Sequence, residues 1–293
     1  MVNGKEPKEF TVVIADISIS FLFDRPLPEF EVKNINDELT TGYSAEIKLR
    51  VHHNRIPEIK EKRKIFDSDS NWSLYSNLGK YVLQNESMES GLLPETMVIL
   101  EPDLKSGNVY IRGNIPNRIF PDLLGYPLNQ ILMITLLASL RKGVLLHACA
   151  VIDDNGYGHL FSGKSTHGKS TIAKLWFESG ATVLNDDRII VREKNGQFWM
   201  YGTPWHGDFR EVSPKGMPIR KVFFLKHGKE NSTVPKKGAE AISMFLTRSF
   251  PPLWDQKGMD YTLGLLDRMA NKLPCYELNF LPDKRIIDFV RNV

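Results

Sequence analysis

The stretch Gly158–Thr171, GHLFSGKSTHGKST, decides the interpretation of this chain. It contains the pattern G-x-x-x-x-G-K-[ST], in which backbone N–H groups wrap polyphosphate oxygens because the glycines let the main chain approach closely. Gly158–Ser162 predicts a short strand before the loop, and Lys169–Glu178 (KSTIAKLWFE) predicts an amphipathic helix that ends at Gly180. This order places a phosphate at the helix N-terminus, where free N–H groups and the helix dipole favour an anion.

The loop therefore predicts ATP and Mg²⁺ as the cofactors. Lys169 is expected to face solvent in the empty loop and to reach the β- and γ-phosphates once ATP binds, whereas the Ser170 hydroxyl is expected to ligate Mg²⁺. Two variable positions, Lys164 and His167, lie near phosphate by position alone, and no role is forced on either. The full predicted nucleotide-binding set is Gly163, Lys164, Ser165, Thr166, His167, Gly168, Lys169, Ser170 and Thr171.

A pair of carboxylates follows the helix. Asp186 and Asp187 end an apolar strand predicted at Ala181–Leu184, sixteen residues after Ser170. An enzyme with this loop needs a carboxylate there to hold Mg²⁺, and a second one can take the proton from an attacking hydroxyl. The alternative is a strand end with two solvated aspartates.

His147 lies in the strand that precedes the one feeding the loop. That strand is predicted at Val144–Ile152 (VLLHACAVI), and Asp153-Asp154-Asn155-Gly156 is a hairpin signal, so the two strands are predicted to be antiparallel. A lone histidine in an apolar strand is usually a hydrogen-bonded core residue. The residues alone thus leave the role of His147 open.

The order of these features resembles a known family. The block 147–191, HACAVIDDNGYGHLFSGKSTHGKSTIAKLWFESGATVLNDDRIIV, is similar to the core of HPr kinase/phosphorylase and, more distantly, of ATP-dependent phosphoenolpyruvate carboxykinase. The resemblance implies that His147 assists proton transfer and that Asp186 is the base. It also implies that Asp187 and Ser170 hold the metal, although the two aspartates could exchange roles.

Later segments depart from HPr kinase itself. Gly202–Gly207 (GTPWHG) stands where that family carries a glycine-rich signature with a glutamate, which puts an HPr substrate in doubt. With Arg248 in FLTRSFPPLW, this segment is similar to the branch associated with peptide-modification clusters, including kinases of lasso-peptide precursors. Arg248 is expected either to neutralise the transferring phosphoryl group or to sit as a cation at a helix end. Trp205 and His206 either contact substrate or belong to a turn packed by an aromatic.

The predicted fold class is α/β with some α+β character. Residues 1–125 are predicted to form a mainly antiparallel β domain with a substrate-binding or regulatory role. Its strands are indicated by alternating segments such as Phe10–Phe23, Ala45–His52 and Trp72–Leu83, which are separated by turn signals. Residues 126–293 are predicted to form the nucleotide-binding core of the HPr kinase/carboxykinase type, introduced by a helix from Pro127.

Composition limits the partners and the compartment. The chain has 293 residues, 42% hydrophobic and 25% charged, with 38 Lys+Arg against 35 Asp+Glu, and a net charge of +3 favours neither nucleic acid nor a membrane as a partner. The longest apolar run, Ile131–Leu140, is too short to span a bilayer. No secretory pattern is visible in MVNGKEPKEF, so Cys149 and Cys275 are predicted to be reduced core residues of a cytoplasmic protein.

The predicted activity is transfer of the ATP γ-phosphoryl group to a hydroxyl, with a serine of a peptide or protein as the acceptor that the resemblance implies. Two alternatives stay open: a kinase of free serine or a similar metabolite, and a nucleotide-gated regulatory module without chemistry. Homo-oligomerisation is also left open. The predicted catalytic set is His147, Lys169, Asp186, Asp187 and Arg248.

Overall fold

The computed structural model describes residues 9–24, 44–68, 72–85, 95–113 and 124–293. It divides into two units, residues 1–133 and 134–293, with the boundary inside helix α1 (Leu128–Ser139). The helix expected from Pro127 is therefore present and contains most of the apolar run Ile131–Leu140, which is largely buried. The predicted division at residues 125 and 126, and the roles given to the two domains, stay predictions.

In the part of the first unit that the structure describes, eight strands form one sheet in the order β1-β2-β3-β8-β7-β6-β5-β4. The pairs β2–β3 and β3–β8 are parallel and the others are antiparallel, so the predicted mainly antiparallel character is confirmed. The strands are β1 (Glu9–Ile14), β2 (Ile17–Phe23), β3 (Ile47–His53), β4 (Arg63–Asp67), β5 (Trp72–Asn77), β6 (Lys80–Asn85), β7 (Glu95–Leu100) and β8 (Ser106–Arg112).

Two segments that read as single stretches of alternating residues are hairpins. Phe10–Phe23 turns at Ala15 and Asp16, whose φ angles of 51° and 57° are those of a tight hairpin turn. Trp72–Leu83 likewise folds back through Leu78 and Gly79. Neither turn carries the Asn-Gly or Asp-Gly pair that marks such turns in a sequence. Each segment therefore looks like one continuous run of alternating residues, and the turn inside it was not predicted.

The second unit contains another sheet of eight strands and four helices. Its strand path is β10-β9-β12-β13-β14-β16-β15, with β11 also paired to β9 and β10 also paired in parallel to β14. The elements are β9 (Val144–Ile152), β10 (Gly158–Ser162), α2 (Lys169–Glu178), β11 (Thr182–Asn185), β12 (Arg188–Lys194), β13 (Gln197–Gly202), β14 (Gly216–His227), β15 (Ser232–Lys236), α3 (Gly238–Leu246), α4 (Gln256–Lys272), β16 (Cys275–Phe280) and α5 (Arg285–Asn292).

Helices cover both faces of the second sheet. One core cluster joins α2 and α5 to residues such as Cys149 and Phe161, and the other joins α3 and α4 to residues such as Leu160 and Phe224. Strands buried on both faces read as continuous apolar runs, which explains the composition of β9 and β10. These two strands are antiparallel, as the hairpin signal predicted.

Both cysteines are free and buried, as expected for core residues. Burial raises the pKa of the Cys275 thiol to about 12, which leaves it protonated and unreactive at neutral pH. Among the helices that the structure describes, none is long and apolar enough to cross a membrane.

Candidate active site

The strand–loop–helix order predicted around the motif G-x-x-x-x-G-K-[ST] is confirmed. Strand β10 ends at Ser162 and helix α2 begins at Lys169, with Gly168 as the N-cap residue at φ 88°. A Cβ atom at Gly168 would lie 2.6 Å from Phe280 Cζ, so both the backbone angle and the space require glycine there. The N-cap residue of α2 therefore lies directly against the end of β16.

A cavity of about 320 Å³ opens at this loop. It brings the helix N-terminus together with the predicted histidine and both aspartates, while Gly163, Lys164 and His167 are not among its lining residues. The lining consists of His147, Ser165, Thr166, Gly168, Lys169, Ser170, Thr171, Asp186, Asp187, Gly207 and Asp208.

Lys169 does not face solvent, which corrects the expectation drawn from the sequence. Its side chain is buried, and Nζ donates to the carbonyl oxygens of Gly163 at 3.0 Å and Lys164 at 3.2 Å. Burial lowers the pKa of Lys169, while the nearby Asp187 and Asp186 carboxylates oppose that effect. The Lys169 ammonium is thus hydrogen-bonded to carbonyls of the loop itself. The charged oxygens of a bound phosphate would be stronger acceptors than these neutral carbonyls and would replace them.

The Asp186 carboxylate accepts three hydrogen bonds. Its Oδ2 accepts from Ser170 Oγ at 2.6 Å and from the Phe209 N–H at 3.0 Å, and its Oδ1 accepts from the Gly207 N–H at 2.7 Å. The residue is 1% exposed. A buried carboxylate is stable only with such partners, so this geometry ties Asp186 to the hydroxyl predicted to bind metal.

Asp187 belongs to a separate pair of contacts. Its Oδ1 lies 2.8 Å from His147 Nε2, and its Oδ2 lies 2.6 Å from an Nη1 of Arg188. Burial alone would raise the pKa of Asp187, but the hydrogen bond to His147 and the Arg188 charge outweigh it and hold the pKa below its usual value. His147 is a quarter exposed, so it is not a core histidine.

Arg188 and Asn185 were missed in the sequence, although both stand beside the two aspartates. The Arg188 guanidinium lies 4.4 Å from the centroid of the Phe250 ring, which fixes it next to Asp187. Asn185 is fully buried, and its Nδ2 donates to the carbonyls of Thr203 and Trp205 at 2.8 and 2.9 Å. Its Oδ1 accepts the N–H groups of Asp187 and Arg188 at 2.7 and 2.8 Å. A polar residue at the end of an apolar strand, directly before the acids, was the available signal.

The segment GTPWHG contributes backbone to the site. Trp205 is buried, and its carbonyl accepts a hydrogen bond from Asn185 Nδ2. His206 is exposed, and its Nδ1 lies 2.8 Å from the Gly207 carbonyl oxygen. Gly207 supplies the N–H that binds Asp186. The packed-turn interpretation therefore describes the surroundings of Trp205, and a substrate contact by His206 stays a prediction.

Arg248 is not brought to the cavity. Its Nη1 donates to the Met244 carbonyl at 3.0 Å and to Thr247 Oγ1 at 3.2 Å, and its guanidinium carbon lies 5.5 Å from the centroid of the Phe224 ring. Burial lowers the pKa of Arg248. Arg248 thus lies at the end of helix α3, which is the second of the two positions expected for it. It is linked to the site through its backbone, because the His147 N–H donates to the Arg248 carbonyl.

The oxygen ligands at this site suit Mg²⁺. Ser170 and the carboxylates of Asp186 and Asp187 are hard donors beside a helix N-terminus, and magnesium in phosphoryl-transfer sites is held by one or two carboxylates together with substrate phosphates and water. Within the described ranges, no group of three or more His, Cys, Asp or Glu side chains is arranged to hold a metal alone. The residues present therefore fit a magnesium ion that arrives with a nucleotide.

Comparisons with known proteins add little to this geometry. No protein-family model matches the chain, and no curated protein matches it. Among solved structures, the chain is similar to the HPr(Ser) kinase/phosphatase from Coxiella burnetii, with 14% sequence identity and a TM-score of 0.32 over 50% of this chain and 94% of that one. A TM-score this low carries no argument for a shared function.

Proposed function

We propose that this protein is an ATP- and Mg²⁺-dependent phosphotransferase that moves the γ-phosphoryl group to a hydroxyl. The observation that carries this proposal is that the two aspartates have different partners. Asp186 accepts a hydrogen bond from Ser170 in the first turn of α2, whereas Asp187 contacts His147 of β9, and all four residues line the same cavity. A site that only binds nucleotide has no need of the second pair.

The geometry favours the exchanged roles for the two acids. Asp186 shares a hydrogen bond with the Ser170 hydroxyl, so these two groups would hold Mg²⁺, which supplies charge neutralisation of the phosphates. Asp187 instead contacts His147 and Arg188, and it lines the cavity together with His147. We therefore assign Asp187 as the base and Asp186 as the metal-side carboxylate.

With Mg-ATP and an acceptor bound, the chemical step uses side chains that line this cavity. The acceptor hydroxyl oxygen bonds to the γ-phosphorus while the bond from that phosphorus to the ADP oxygen breaks. The hydroxyl proton becomes acidic as the new bond forms and passes to the Asp187 carboxylate, which its lowered pKa keeps ionised at neutral pH. His147 and Arg188 hold that carboxylate in position, and Lys169 moves from the loop carbonyls to the phosphates.

The acceptor is proposed to be a serine of a peptide or protein. This part rests on the resemblance of the motif order to HPr-kinase-like proteins, since the site geometry is equally suited to any hydroxyl that reaches Asp187. Free serine is the small-molecule acceptor that the same site would use if the peptide assignment is wrong.

A labelled-phosphate screen tests the proposal. The full-length protein is incubated with Mg²⁺ and γ-labelled ATP against a panel of serine-containing peptides and free serine, and transfer is followed by mass shift and label. Label on a serine oxygen that disappears with Lys169→Ala and Asp187→Asn is the expected result. Absence of ATP binding by calorimetry in the parent protein would overturn the proposal, and transfer undiminished in Asp187→Asn would overturn the base assignment.

A further inference from the structure

Two histidines next to the phosphate-binding loop have no part in the proposed chemistry. His167 lies in the loop and His227 lies at the end of β14, the strand that runs parallel to β10. Their ring centroids are 6.0 Å apart, with the rings at 62°. The ring of His167 in the loop is hydrogen-bonded to the strand, and the ring of His227 in the strand is hydrogen-bonded to the loop.

The bonds are reciprocal. His167 Nδ1 donates to the Leu225 carbonyl of the strand at 3.0 Å, and His227 Nε2 donates to the Thr166 carbonyl of the loop at 2.8 Å. A carbonyl oxygen can only accept, so each named nitrogen carries the proton. We call these two histidines with their two bonds the histidine latch.

The latch acts at the point where the loop is most constrained. Thr166 has φ 68°, a left-handed angle that β-branched residues rarely adopt, and it lines the cavity. A residue in that conformation persists only where its surroundings hold it. The His227 bond supplies such a restraint, and it also occupies a carbonyl that would repel phosphate if the peptide turned toward the anion.

We propose that His167 and His227 are positioning residues that hold the apex of the loop 163–168 in its anion-binding shape. This inference rests on the proposed function for its effect on ATP, but the effect on the loop itself does not. Neither histidine lines the cavity, so each acts through the backbone rather than on the reacting atoms. Loss of either bond should weaken Mg-ATP binding and loosen the empty loop without unfolding the sheet.

Amide side chains provide matched variants because they copy one imidazole nitrogen each. The amide nitrogen of Asn is separated from Cα by the same number of bonds as Nδ1 of His, and that of Gln by the same number as Nε2. His167→Asn and His227→Gln should keep the donor in place. His167→Gln and His227→Asn present the same chemistry at the wrong distance, so they are the controls.

Two measurements on these four variants test the proposal. By calorimetry, the mismatched pair should bind Mg-ATP roughly 3- to 10-fold more weakly, as expected for one lost hydrogen bond, and the matched pair within about 2-fold of the parent. By amide hydrogen exchange without nucleotide, residues 163–168 should exchange faster in the mismatched pair alone. His227 is exposed and His167 half-buried, so melting temperatures should stay close to that of the parent.

The outcomes separate this inference from the proposed function. If the parent protein binds no ATP but the mismatched variants still exchange faster in the loop, the proposed function fails and the latch stands as a restraint on the loop. If all four variants match the parent in both measurements, the latch is wrong. Equal weakening in all four would also overturn it, because the imidazoles rather than the two donors would then matter.

Discussion

His147 and Asp187 are the residues on which the proposed proton transfer depends. Their Nε2 and Oδ1 atoms are 2.8 Å apart, and each side chain is 24% exposed. Solvent reaches both side chains and Asp187 keeps Arg188 when His147 is removed, so we expect the pair to contribute roughly 1 to 2 kcal/mol to stability, whereas help with a proton transfer is typically worth roughly 10²- to 10⁴-fold in rate. Rate and stability therefore distinguish a catalytic assistant from a structural histidine.

We expect His147→Ala to slow phosphoryl transfer to a confirmed acceptor by about 10²- to 10⁴-fold while the melting temperature changes little. The hydrogen bond to His147 lowers the pKa of Asp187, so its removal raises that pKa. Protonation then disables the base at a higher pH, and the acid limb of the rate profile moves upward. Single-turnover rates from pH 4 to 8, with thermal unfolding on the same preparation, check this. An unchanged rate with a large loss of stability would show that His147 is structural.

At the scale of elements, the segment between β13 and β14 positions Asp186, the acid that we propose for the metal side. Gly207 gives its N–H to Asp186, and a Cβ atom there would lie 2.9 Å from Asp186 Oδ2 and 3.2 Å from Oδ1. Oδ2 cannot stay where it is if that position carries a side chain, and both Oδ1 and the Cβ of Asp187, also at 3.2 Å, would have to give way slightly. The glycine is thus required by close approach to a carboxylate rather than by its backbone angle.

Gly207→Ala should displace the Asp186 carboxylate and weaken the Mg²⁺-dependent part of ATP binding by roughly 10-fold, the effect of losing one hydrogen bond to a charged group. Gly264→Ala is the matched control, because its added Cβ meets only Arg268 Nη1 at 3.5 Å within helix α4. That control should bind Mg-ATP like the parent and gain up to about 1 kcal/mol of stability from helix propensity. Equal ATP affinities in the two variants, measured by calorimetry, would show that the Gly207 contact does not position the acid.

At the scale of the whole molecule, a buried histidine away from the candidate active site makes stability depend on pH. His159 is 1% exposed, its Nε2 lies 3.1 Å from Asp153 Oδ2, and its ring centroid is 5.5 Å from that of Trp176. Burial depresses the pKa of His159 below its ordinary 6.5, although the Asp153 contact opposes this. The unfolded chain therefore binds the proton more readily, so stability is greatest above pH 6.5 and falls as the pH drops through that value.

We expect the melting temperature of the parent to fall between pH 7.5 and 5.5 and that of His159→Gln to fall less, because glutamine keeps a donor for Asp153 without titrating. Each unit by which the folded pKa is depressed corresponds to about 1.4 kcal/mol of stability lost on acidification. Calorimetric unfolding of both proteins across this range measures the difference. Parallel curves for the two proteins would mean that His159 is not the group responsible.

The parts of the fold that the sequence predicted are those with local causes. The glycine pattern, the apolar strand and the amphipathic helix specify β10, the loop and α2 within twenty-one residues, 158–178. The hairpin before them followed from its turn residues. Such features need no knowledge of the rest of the chain.

What the sequence did not predict depends on distant partners. Asp186 is held by N–H groups of Gly207 and Phe209, twenty-one and twenty-three residues later, and only the folded chain shows that they meet. The same holds for the parallel pairing of β3 with β2 and β8, since register across a crossover has no local signal. The roles first given to the two aspartates rested on family resemblance, and their neighbours favour the reverse.

The roles proposed for Asp186 and Asp187 are tested most directly by calorimetric titration. ATP is titrated, with and without Mg²⁺, into the parent protein and into the variants Asp186→Asn and Asp187→Asn. The proposed roles predict that Mg²⁺ strengthens ATP binding in the parent and in Asp187→Asn, and that Asp186→Asn loses most of this gain because Asp186 lies 2.6 Å from the Ser170 hydroxyl. A gain retained in Asp186→Asn and lost in Asp187→Asn would contradict the assignment, and no ATP binding in any of the three would contradict the function itself.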